Sequence, residues 1–592
     1  MSTPLSPSWP HCGHGADTAT DPVGCRGIHV PGHTPCLAHL TDTDRIAYLT
    51  GLAPGADIDH RGTPFTQQLL EALLNAVRDP ATGAPHLGDA WFEGAQFSGD
   101  AGFEGAQFSG TAWFGGAQFS GDARFGGAQF SGTAGFEEAQ FSGDARFGGA
   151  QFSGTARFRG AQFSGDAWFD MAQFSGTAGF DGAQFSGPAW FDMAQFSGTA
   201  WFNGAQFSGP AWFNGAQFSG DARFDMAQFM TAAKLGPLVC QRMVSLSGAR
   251  FGAPASVEVA AARVVCEGTR WDAKGTLRLR YAALDLTDAV MEYPLSVTTK
   301  TTPFTWATTE VPEGGLAGTG PGAPTSPAVR VVSLSGADAT HLALHNVDLA
   351  ECRFFGTIHL DQLRLEGQCP LSPAATGWRW TRRSTLAEEH HWRASQHQRD
   401  WTAPPPGVEV HAPAALATVY RQLRKSFEDG KNEPGAADFY YGEMEMRRHD
   451  RTATSRAERG LLHAYWLLSG YGLRALRALG WLAAAMLITL VLLMGFGLPK
   501  DDPKQEATGT VPPGGGKVTF EIEKGDPQNP TGNRLTGKRF EKALNVTLNS
   551  VVFRSSGQDL TTAGTYIEMT SRLVEPALLA LAVLAVRGRI KR

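Results

Sequence analysis

Between residues 89 and 232, the apolar positions follow one rule: Phe recurs in strictly alternating steps of five and six residues. Each Phe has an Ala two positions before it, as in Ala95 and Phe97, with a polar or variable residue between them. In extended backbone, residues two apart face the same side. The pattern therefore predicts short strands whose Ala and Phe point inward, with an outward slot between them.

One long and one short step together form a repeat unit of eleven positions, a period that could also indicate a right-handed coiled coil. A helical seam needs apolar steps of three and four, however, and most units hold two glycines, each costing ~1 kcal/mol in a helix. Thr111, Thr133 and Thr155 recur in every second unit, and Asp100 and Asp122 alternate with them. Two units therefore make one coil of a solenoid, about 30 Å long over this segment at ~4.8 Å per coil.

The A-x-F-x-x unit resembles that of the pentapeptide-repeat family, whose members fold as right-handed quadrilateral β-helices with one unit per face. The resemblance implies a mainly β fold, with bulged corners where every second unit holds an extra residue. Residues 233–370 show a degenerate version of this spacing, with Ala339, Leu344 and Leu349 five residues apart. We expect this stretch to continue the solenoid.

The outward slot of the repeat is where the sequence offers surface chemistry. In successive coils it holds Arg124 and Arg146, followed by Trp168, Trp190 and Trp212. Because exposed aromatic surface is typical of protein-binding patches, these three tryptophans are a candidate partner-binding stripe. The alternative is that Trp is merely tolerated there after recent duplication of the repeat.

The N-terminal arm, residues 1–41, concentrates cysteine and histidine. It contains four candidate zinc ligands: Cys12, Cys25, Cys36 and His39. Zinc sites use four such ligands, often in short pairs like the last two. One expectation is a structural zinc ion, with His14 or His11 as substitute ligands, and the other is free thiols in a loose arm. No carboxylate base lies beside the cluster, so catalytic zinc is not expected.

Helices are predicted on both sides of the solenoid. Residues 42–88 read as two amphipathic helices that cap its first coil. Residues 371–412 hold a helix with Ser384 as its N-cap. The pair His390-His391 beside two glutamates suggests a metal site, but neighbouring positions on a helix face different directions, so we expect a solvated helix instead. Residues 413–474 predict a helical hairpin similar to a tetratricopeptide-type pair, followed by a juxtamembrane helix.

Two apolar runs near the C-terminus predict a membrane hairpin. Residues 475–498 are long enough to span a bilayer, and residues 566–587 could do so although charged residues interrupt them. Arginines before the first run and the basic tail, 588–592, place both termini in the cytoplasm, with 499–538 as the extracytoplasmic loop. Seven scattered cysteines and the absence of a signal peptide agree with a reducing compartment.

Between the spans, residues 539–565 look like a pore helix and a re-entrant turn. The order resembles a two-helix potassium-channel subunit, as in bacterial membrane proteins that place a helical hairpin between pentapeptide repeats and a pore module. A potassium filter needs a glycine-rich ring of carbonyls. Here the aligned turn holds other residues: Arg554, Ser555, Ser556, Gly557 and Asp559. The resemblance therefore implies a degenerate pore in which potassium conduction is not expected.

Composition narrows the function classes. A net charge of −6 argues against general nucleic-acid binding, and no catalytic constellation stands out, so we expect no enzyme. We expect a multi-pass protein of the bacterial plasma membrane whose cytoplasmic rod is a scaffold for an unknown protein partner, and which could form a homo-oligomer through its spans. The alternatives are a channel-like pore or sensor and, since residues 89–232 carry a formal charge of −9, a DNA mimic that binds topoisomerase.

Overall fold

The computed structural model describes residues 7–17, 21–316, 326–375, 382–500, 505–509, 513–517, 520–529 and 531–590. They fall into two compact units, one within residues 1–411 and 425–430 and the other within 412–424 and 431–592. Parts of the predicted arm, of the loop 499–538 and of the basic tail 588–592 lie outside the described residues.

The first unit is a mainly β solenoid of about 12 turns. In its regular part the strands are only two residues long: Gln-Phe strands recur once per repeat unit from Gln96–Phe97 to Gln228–Phe229, and Ala-x strands from Ala101–Gly102 to Ala222–Arg223. Each strand pairs in parallel with the strand one coil away, so that Phe130 lies opposite Phe152. The predicted coil of two repeat units is therefore confirmed.

Solenoid strands continue, as predicted, from Ala233 to Thr299 and again from Arg330 to Glu366, but their period changes. Phe251 pairs with Trp271, so the coil is two residues shorter here and each face has the five-residue unit without the extra residue. The solenoid strands of this part are Ala233–Ser245, Arg250–Phe251, Ala255–Val265, Arg270–Trp271, Gly275–Arg280, Ala283–Asp285, Val290–Met291, Leu295–Thr299, Arg330–Ser333, Leu342–His345 and Arg364–Glu366. A separate antiparallel pair, Thr305–Trp306 with Thr309–Glu310, lies between them in the chain.

The core of the solenoid is a set of phenylalanine stacks. The rings of Phe125 and Phe147, one coil apart, are parallel with centroids 4.9 Å apart, and Phe136 meets Phe147 edge to face at 5.3 Å. These are the two arrangements that aromatic pairs prefer. The Phe and Ala side chains of the repeat are almost fully buried, and each buried Phe contributes roughly 1.5–3 kcal/mol by the hydrophobic effect.

The two helices predicted for the cap are present, but the prediction missed three strands in the same stretch. Helices α1 (Asp42–Thr50) and α2 (Gln67–Ala76) form, with the hydroxyls of Thr41 and Thr66 as N-caps. Strands Ala56–Asp59, Pro64–Phe65 and His86–Trp91 also form in this stretch and pair with the first coils. The solenoid thus begins before residue 89, because apolar side chains such as Phe65, stacked 5.3 Å from Phe97, extend its core.

Helix α3 (Ala387–Ser395) corrects the prediction of a solvated helix capped by Ser384. Its N-cap is Leu386, and Ser384 belongs to a short strand, Ser384–Thr385, paired with Ser372–Pro373. His390 and His391 are buried. Glu388 accepts the backbone N–H of Phe355 at 2.9 Å. The buried Glu388 carboxylate thus satisfies backbone N–H groups of the solenoid that would otherwise lack partners.

The buried charges of α3 are also paired within their own segment. Glu389 is fully buried and receives the guanidinium groups of Arg383 and Arg393 at 2.6 and 2.7 Å. A buried carboxylate needs such partners, since an isolated charge is very costly away from water. The charged side chains of this helix therefore make buried contacts. Their spacing in the sequence alone does not reveal this.

The second unit holds the remaining helices, apart from the last residues of α4, which belong to the first unit. These helices are α4 (Pro413–Asp429), α5 (Glu433–His449), α6 (Arg456–Ser469), α7 (Ala475–Leu492, continued by a π-helical turn, Leu493–Gly497), α8 (Gly537–Val551) and α9 (Thr562–Ile590). A small hairpin, Gln505–Thr508 with Glu521–Lys524, lies between α7 and α8. The predicted helical hairpin is thus the pair α4 and α5.

Two of these helices are long and apolar enough to cross a membrane, Ala475–Gly497 and Thr562–Arg587. They pack against each other and against α8. Glycines allow the close approach of their ends: a Cβ on Gly564 would lie 2.2 Å from the carbonyl oxygen of Gly497. Small residues at helix contacts are typical of packing between membrane helices.

Most repeat units contain the segment Ala-Gln-Phe-Ser-Gly (AQFSG), and its glycine is required by the stacking of coils. A Cβ on Gly154 would lie 2.3 Å from the carbonyl oxygen of Gly132, one coil away. The corner glycine Gly149 differs: its φ is +64°, but a Cβ there would meet nothing within 4 Å. Met171 and Met193 occupy the same corner in the next two coils, also with positive φ. One glycine is needed for space and the other only for its backbone conformation.

We predict that Gly154→Ala destabilises the solenoid by about 3 kcal/mol or more, because two coils must separate to admit the methyl group. Gly149→Met should cost only about 1–2 kcal/mol, the strain of a left-handed L-residue. Thermal unfolding of the purified chain, followed by its β-sheet circular dichroism, would measure both. Equal losses of stability in the two variants would contradict this account.

Candidate functional site

The predicted zinc ligands converge at the start of the first unit. Cys12 and Cys25 lie on two antiparallel segments of the arm, where the N–H of Cys12 donates to Gly27 at 2.8 Å. Cys36 precedes a 3-10 turn, Leu37–His39, which brings His39 back towards it. Among the described residues, one group of Cys, His, Asp or Glu could hold a metal ion, and it is this set of four.

The distances between the four ligand atoms fit one ion. The Sγ atoms of Cys25 and Cys36 are 3.7 Å apart, and Nδ1 of His39 lies 3.5 Å from Sγ of Cys12 and 3.3 Å from Sγ of Cys36. All four atoms lie within 4.8 Å of one another. Tetrahedral zinc, with Zn–S bonds of ~2.3 Å and Zn–N bonds of ~2.0 Å, places its ligand atoms about 3.5–3.8 Å apart. The site could therefore bind a metal such as zinc.

The electrostatics of the pair Cys25 and Cys36 favour metal binding. A hydrogen bond from Cys36 lowers the pKa of Cys25 to about 5, while the same bond and burial raise the pKa of Cys36. One thiol of the pair is thus readily ionised and the other retains the shared proton. A metal ion replaces such a proton, since thiolates are the ligating form.

The substitute ligands considered from the sequence have other contacts. The ring of His14 stacks on that of His39 with centroids 4.1 Å apart. The backbone carbonyl of His11 accepts a hydrogen bond from Nε2 of His29 at 2.8 Å. Neither histidine belongs to the four-ligand group. His14 instead covers one side of the ligand His39.

The metal centre is joined to the first coil of the solenoid. The N–H of Ile28 donates to the carbonyl of Arg61, and the N–H of Gly62 donates to Glu93, both at 2.8 Å. Cys36 packs so closely on Gly27 that a Cβ there would lie 2.6 Å from the Cys36 Cβ. The segment that carries the ligands therefore packs against the start of the solenoid.

The three tryptophans of the candidate stripe form one column of the solenoid. Trp168, Trp190 and Trp212 face one another in consecutive coils. The centroids of their rings are 5.0 and 4.0 Å apart. The sequence predicts exposed tryptophans here, and the structure shows them half-buried, with each indole stacked on the next. In the coils before them, Arg146 pairs with Asp122 at 3.2 Å, so the column changes from ion pairs to aromatic surface.

Two methionines beside the stripe were not identified from the sequence. Met171 and Met193 take the corner position that glycine usually holds, with φ of 56° and 59°. Their side chains are 59% and 43% exposed. Together with the three tryptophans they form what we call the Trp-Met surface. The signal that could have revealed them is the replacement of a glycine by a large apolar residue at the corner of two successive coils.

The indole groups of this surface have unused hydrogen-bonding capacity. Among the described residues, the buried Nε1 atoms of Trp168 and Trp190 have no acceptor. At the far end of the stripe, Trp306 of the segment 300–316 lies beside Gly215. That segment is folded against the solenoid through Phe304, Val311 and Leu316. The Trp-Met surface therefore ends at a packed loop on one side and at ion pairs on the other.

The five residues of the pore-loop prediction lie in the connection between α8 and α9. Arg554, Ser555 and Gly557 are exposed in the single chain. The hydroxyl of Ser556 donates to Glu568 at 3.1 Å, and Arg572 donates to the same oxygen at 2.7 Å. The connection is thus tied to the first turns of α9, and Asp559 at its end is half-buried.

The family model for pentapeptide repeats, described as nine copies, matches this chain in four overlapping stretches: 86–129, 125–171, 169–217 and 202–233. The identity of the repeat is therefore confirmed for the regular part of the solenoid. Comparison with curated proteins and with solved structures gave no match.

We predict that the purified protein takes up about one zinc ion per chain, as a Cys3His site does. Cys25→Ser should abolish this uptake because it removes the ligand that ionises most readily. His14→Ala is the matched control and should retain zinc, since His14 only stacks on His39. Metal analysis after equilibration and desalting measures all three proteins, and loss of zinc in the His14 variant alone would contradict the assignment of the ligands.

Proposed function

We propose that this chain is a non-enzymatic bacterial membrane protein whose pentapeptide-repeat solenoid is a cytoplasmic scaffold that binds a protein partner through the Trp-Met surface. The observation that carries the proposal is the pair of methionines in left-handed conformation beside three stacked tryptophans. The bacterial origin follows from the resemblance to bacterial proteins that combine these repeats with a membrane hairpin.

The two methionines lower the stability of the solenoid. A left-handed L-residue costs roughly 1–2 kcal/mol relative to a favourable conformation, and glycine meets the same need at this corner in other coils. Exposed as they are, Met171 and Met193 recover little of that cost by burial. Residues held in strained backbone often belong to functional sites, and Trp and Met are enriched in the centres of protein interfaces.

The surface also has the composition of a binding site rather than of a solvated face. Its tryptophans are large and already ordered by their stacking, so little side-chain entropy is lost when a partner covers them. A partner with an apolar segment fits such a surface.

Membrane insertion is supported by the second unit. The spans carry many exposed apolar side chains, among them Leu476, Leu487 and Leu573, which a lipid bilayer would cover. The arginines that precede α7 and the tail that follows α9 favour cytoplasmic placement of both ends by the positive-inside rule. The solenoid, which precedes the first span, would then be cytoplasmic.

The metal in this proposal is structural zinc. The four ligands lie in the arm, and Ile28 of the arm donates a backbone hydrogen bond to Arg61 beside the first coil. Structural zinc contributes directly to folding free energy in small segments that lack a core of their own. It would therefore keep the arm closed over the end of the solenoid.

A channel-like function is the second candidate, and the packing of α8 favours it. Ala543 and Val546 of α8 are buried against Leu493 and Met494 at the end of the first span, so a short helix and a turn lie between two spans, as in a pore module. The turn, with Arg554 and Ser556, lacks the glycine-rich filter of potassium channels. The DNA-mimic alternative is weakened by ion pairs such as Arg146 with Asp144, which neutralise part of the acidic ladder.

We predict that Trp168→Ser combined with Trp190→Ser and Trp212→Ser removes the partner that cross-links to the wild-type chain in membranes of its own organism. The matched control is the corresponding change of Trp91, Trp113 and Trp201, which lie in another column of the solenoid. Quantitative mass spectrometry of cross-linked proteins compares the variants. An unchanged set of partners in the first variant would rule out the stripe.

A second prediction separates binding from stability. Met171→Gly with Met193→Gly should weaken capture of the same partner while leaving stability unchanged or raising it by about 1 kcal/mol, because relief of left-handed strain is offset in part by the backbone entropy of glycine. Thermal unfolding and cross-linking of one preparation measure both quantities. Loss of stability together with loss of binding would instead show that the methionines serve the fold.

For the channel candidate, we expect no potassium-selective unitary currents when the purified chain is reconstituted in planar bilayers, because the carbonyl ring is lost. Arg554→Gly is the variant to compare, since it removes the positive charge near the ion path. Reproducible currents in the wild type that change with this substitution would establish the channel function and displace the scaffold as the leading proposal.

A further inference from the structure

A carboxyl group lies near the middle of the second candidate span. Glu575 belongs to α9, within the apolar stretch Thr562–Arg587, and its side chain is 0% exposed. Charged side chains at this depth of a bilayer are rare and costly, and where they occur they face a cavity or a partner group. Glu575 therefore calls for a specific explanation in the contacts around it.

The carboxyl of Glu575 has no cationic partner among the residues that the structure describes. Its one hydrogen-bonding neighbour there is the hydroxyl of Thr489 on α7, which carries no charge. The neighbouring acid Glu568 differs, because it receives both Arg572 and Ser556.

Glu575 is one of the residues that line an open cleft of about 400 Å³ between α7 and α9, and its carboxyl oxygens lie beneath the surface of that cleft. The walls are mostly apolar, with Ile488 and Leu492 on α7 and Val574 on α9, while Thr489 and Ser571 add hydroxyls beside Glu575. A cavity of this size, apolar with a few convergent polar groups, is typical of a small-molecule site. A buried and unpaired carboxyl is thus combined with space for a ligand.

We propose that this cavity binds an organic ammonium ion with an apolar body, and that Glu575 is the residue that takes its charge. The inference rests on the membrane placement proposed above. The ammonium would pair with the carboxylate, which gains a partner of opposite charge in a medium of low dielectric constant. The apolar body would fill the space lined by the side chains of α7 and α9.

Other occupants fit the cavity less well. An inorganic cation such as calcium needs six to eight oxygen ligands, whereas this site offers one carboxylate and few hydroxyls. The hydroxyl of Ser571 already donates to the backbone of Glu568 at 2.9 Å. A proton alone would neutralise Glu575 and leave the apolar space unfilled. Charge complementarity and shape together therefore favour an amphiphilic amine.

The test uses the full chain reconstituted in lipid vesicles and a hydrophobic carbodiimide, which modifies accessible carboxyl groups in apolar surroundings. Mass spectrometry of peptides should find the label on Glu575, and Glu575→Gln should abolish it. The probe ligand is N,N-dimethyloctylamine, a tertiary amine that cannot form an amide with the activated carboxyl. At a concentration several times its Kd it should reduce labelling at least about five-fold, as mass action requires.

Octanol at equal concentration is the matched neutral probe and should leave the labelling unchanged. Equal protection by octanol would overturn the proposal, since the cavity would then be merely apolar. No label on wild-type Glu575 would also overturn it and would indicate that a second copy of the chain closes the cavity. In Thr489→Val, carbodiimide should still label Glu575, and the amine should reduce this labelling less than in the wild type. Because the label is retained, the result shows that the variant is folded.

Extraction of the same vesicles with alkaline carbonate distinguishes this inference from the proposed function. If the chain stays in the membrane and the amine fails to protect Glu575, only the ammonium site is wrong. If carbonate releases the chain, the membrane placement itself is wrong, and the ammonium site, which depends on that placement, is wrong as well.

Discussion

The parallel pairing of one coil with the next is the constraint on which the first unit depends. Each short strand bonds to the equivalent strand of the next coil, which fixes the rise between coils at the spacing of neighbouring β-strands. At that spacing the Phe rings of successive coils lie 4.8–5.0 Å apart and parallel. The backbone and the core therefore require the same repeat, and neither can change its period without the other.

This constraint decides which positions are free to carry function. Ala and Phe are buried, and the glycine of AQFSG is held by the carbonyl of the coil before it. The side chains in the outward slot and at the corner neither fill the core nor lie against the backbone of a neighbouring coil. The chain uses them for the Trp-Met surface in three successive coils, whereas the same column earlier in the solenoid carries arginines paired with aspartates.

The ends of the first unit meet a different problem, because a terminal coil has unpaired strand edges and uncovered core. At the start, the arm with its Cys3His cluster lies over the first coil. At the end, α3 is buried with its carboxylates bonded to solenoid backbone and to arginines. Both caps use polar and ionisable groups, which reflects the exposed backbone that they must satisfy.

The sequence alone determined the solenoid, its coil of two repeat units, the inward Phe and Ala, the Trp column and the two apolar helices. It could do so because each of these is a local pattern that repeats or persists along the chain. It also placed the four metal ligands in one arm, but only the folded arm shows that their atoms lie within 4.8 Å. The burial of α3, the left-handed Met171 and Met193 and the unpaired Glu575 were decided by tertiary structure. Each depends on which distant residues surround it, and no periodicity in the chain encodes that.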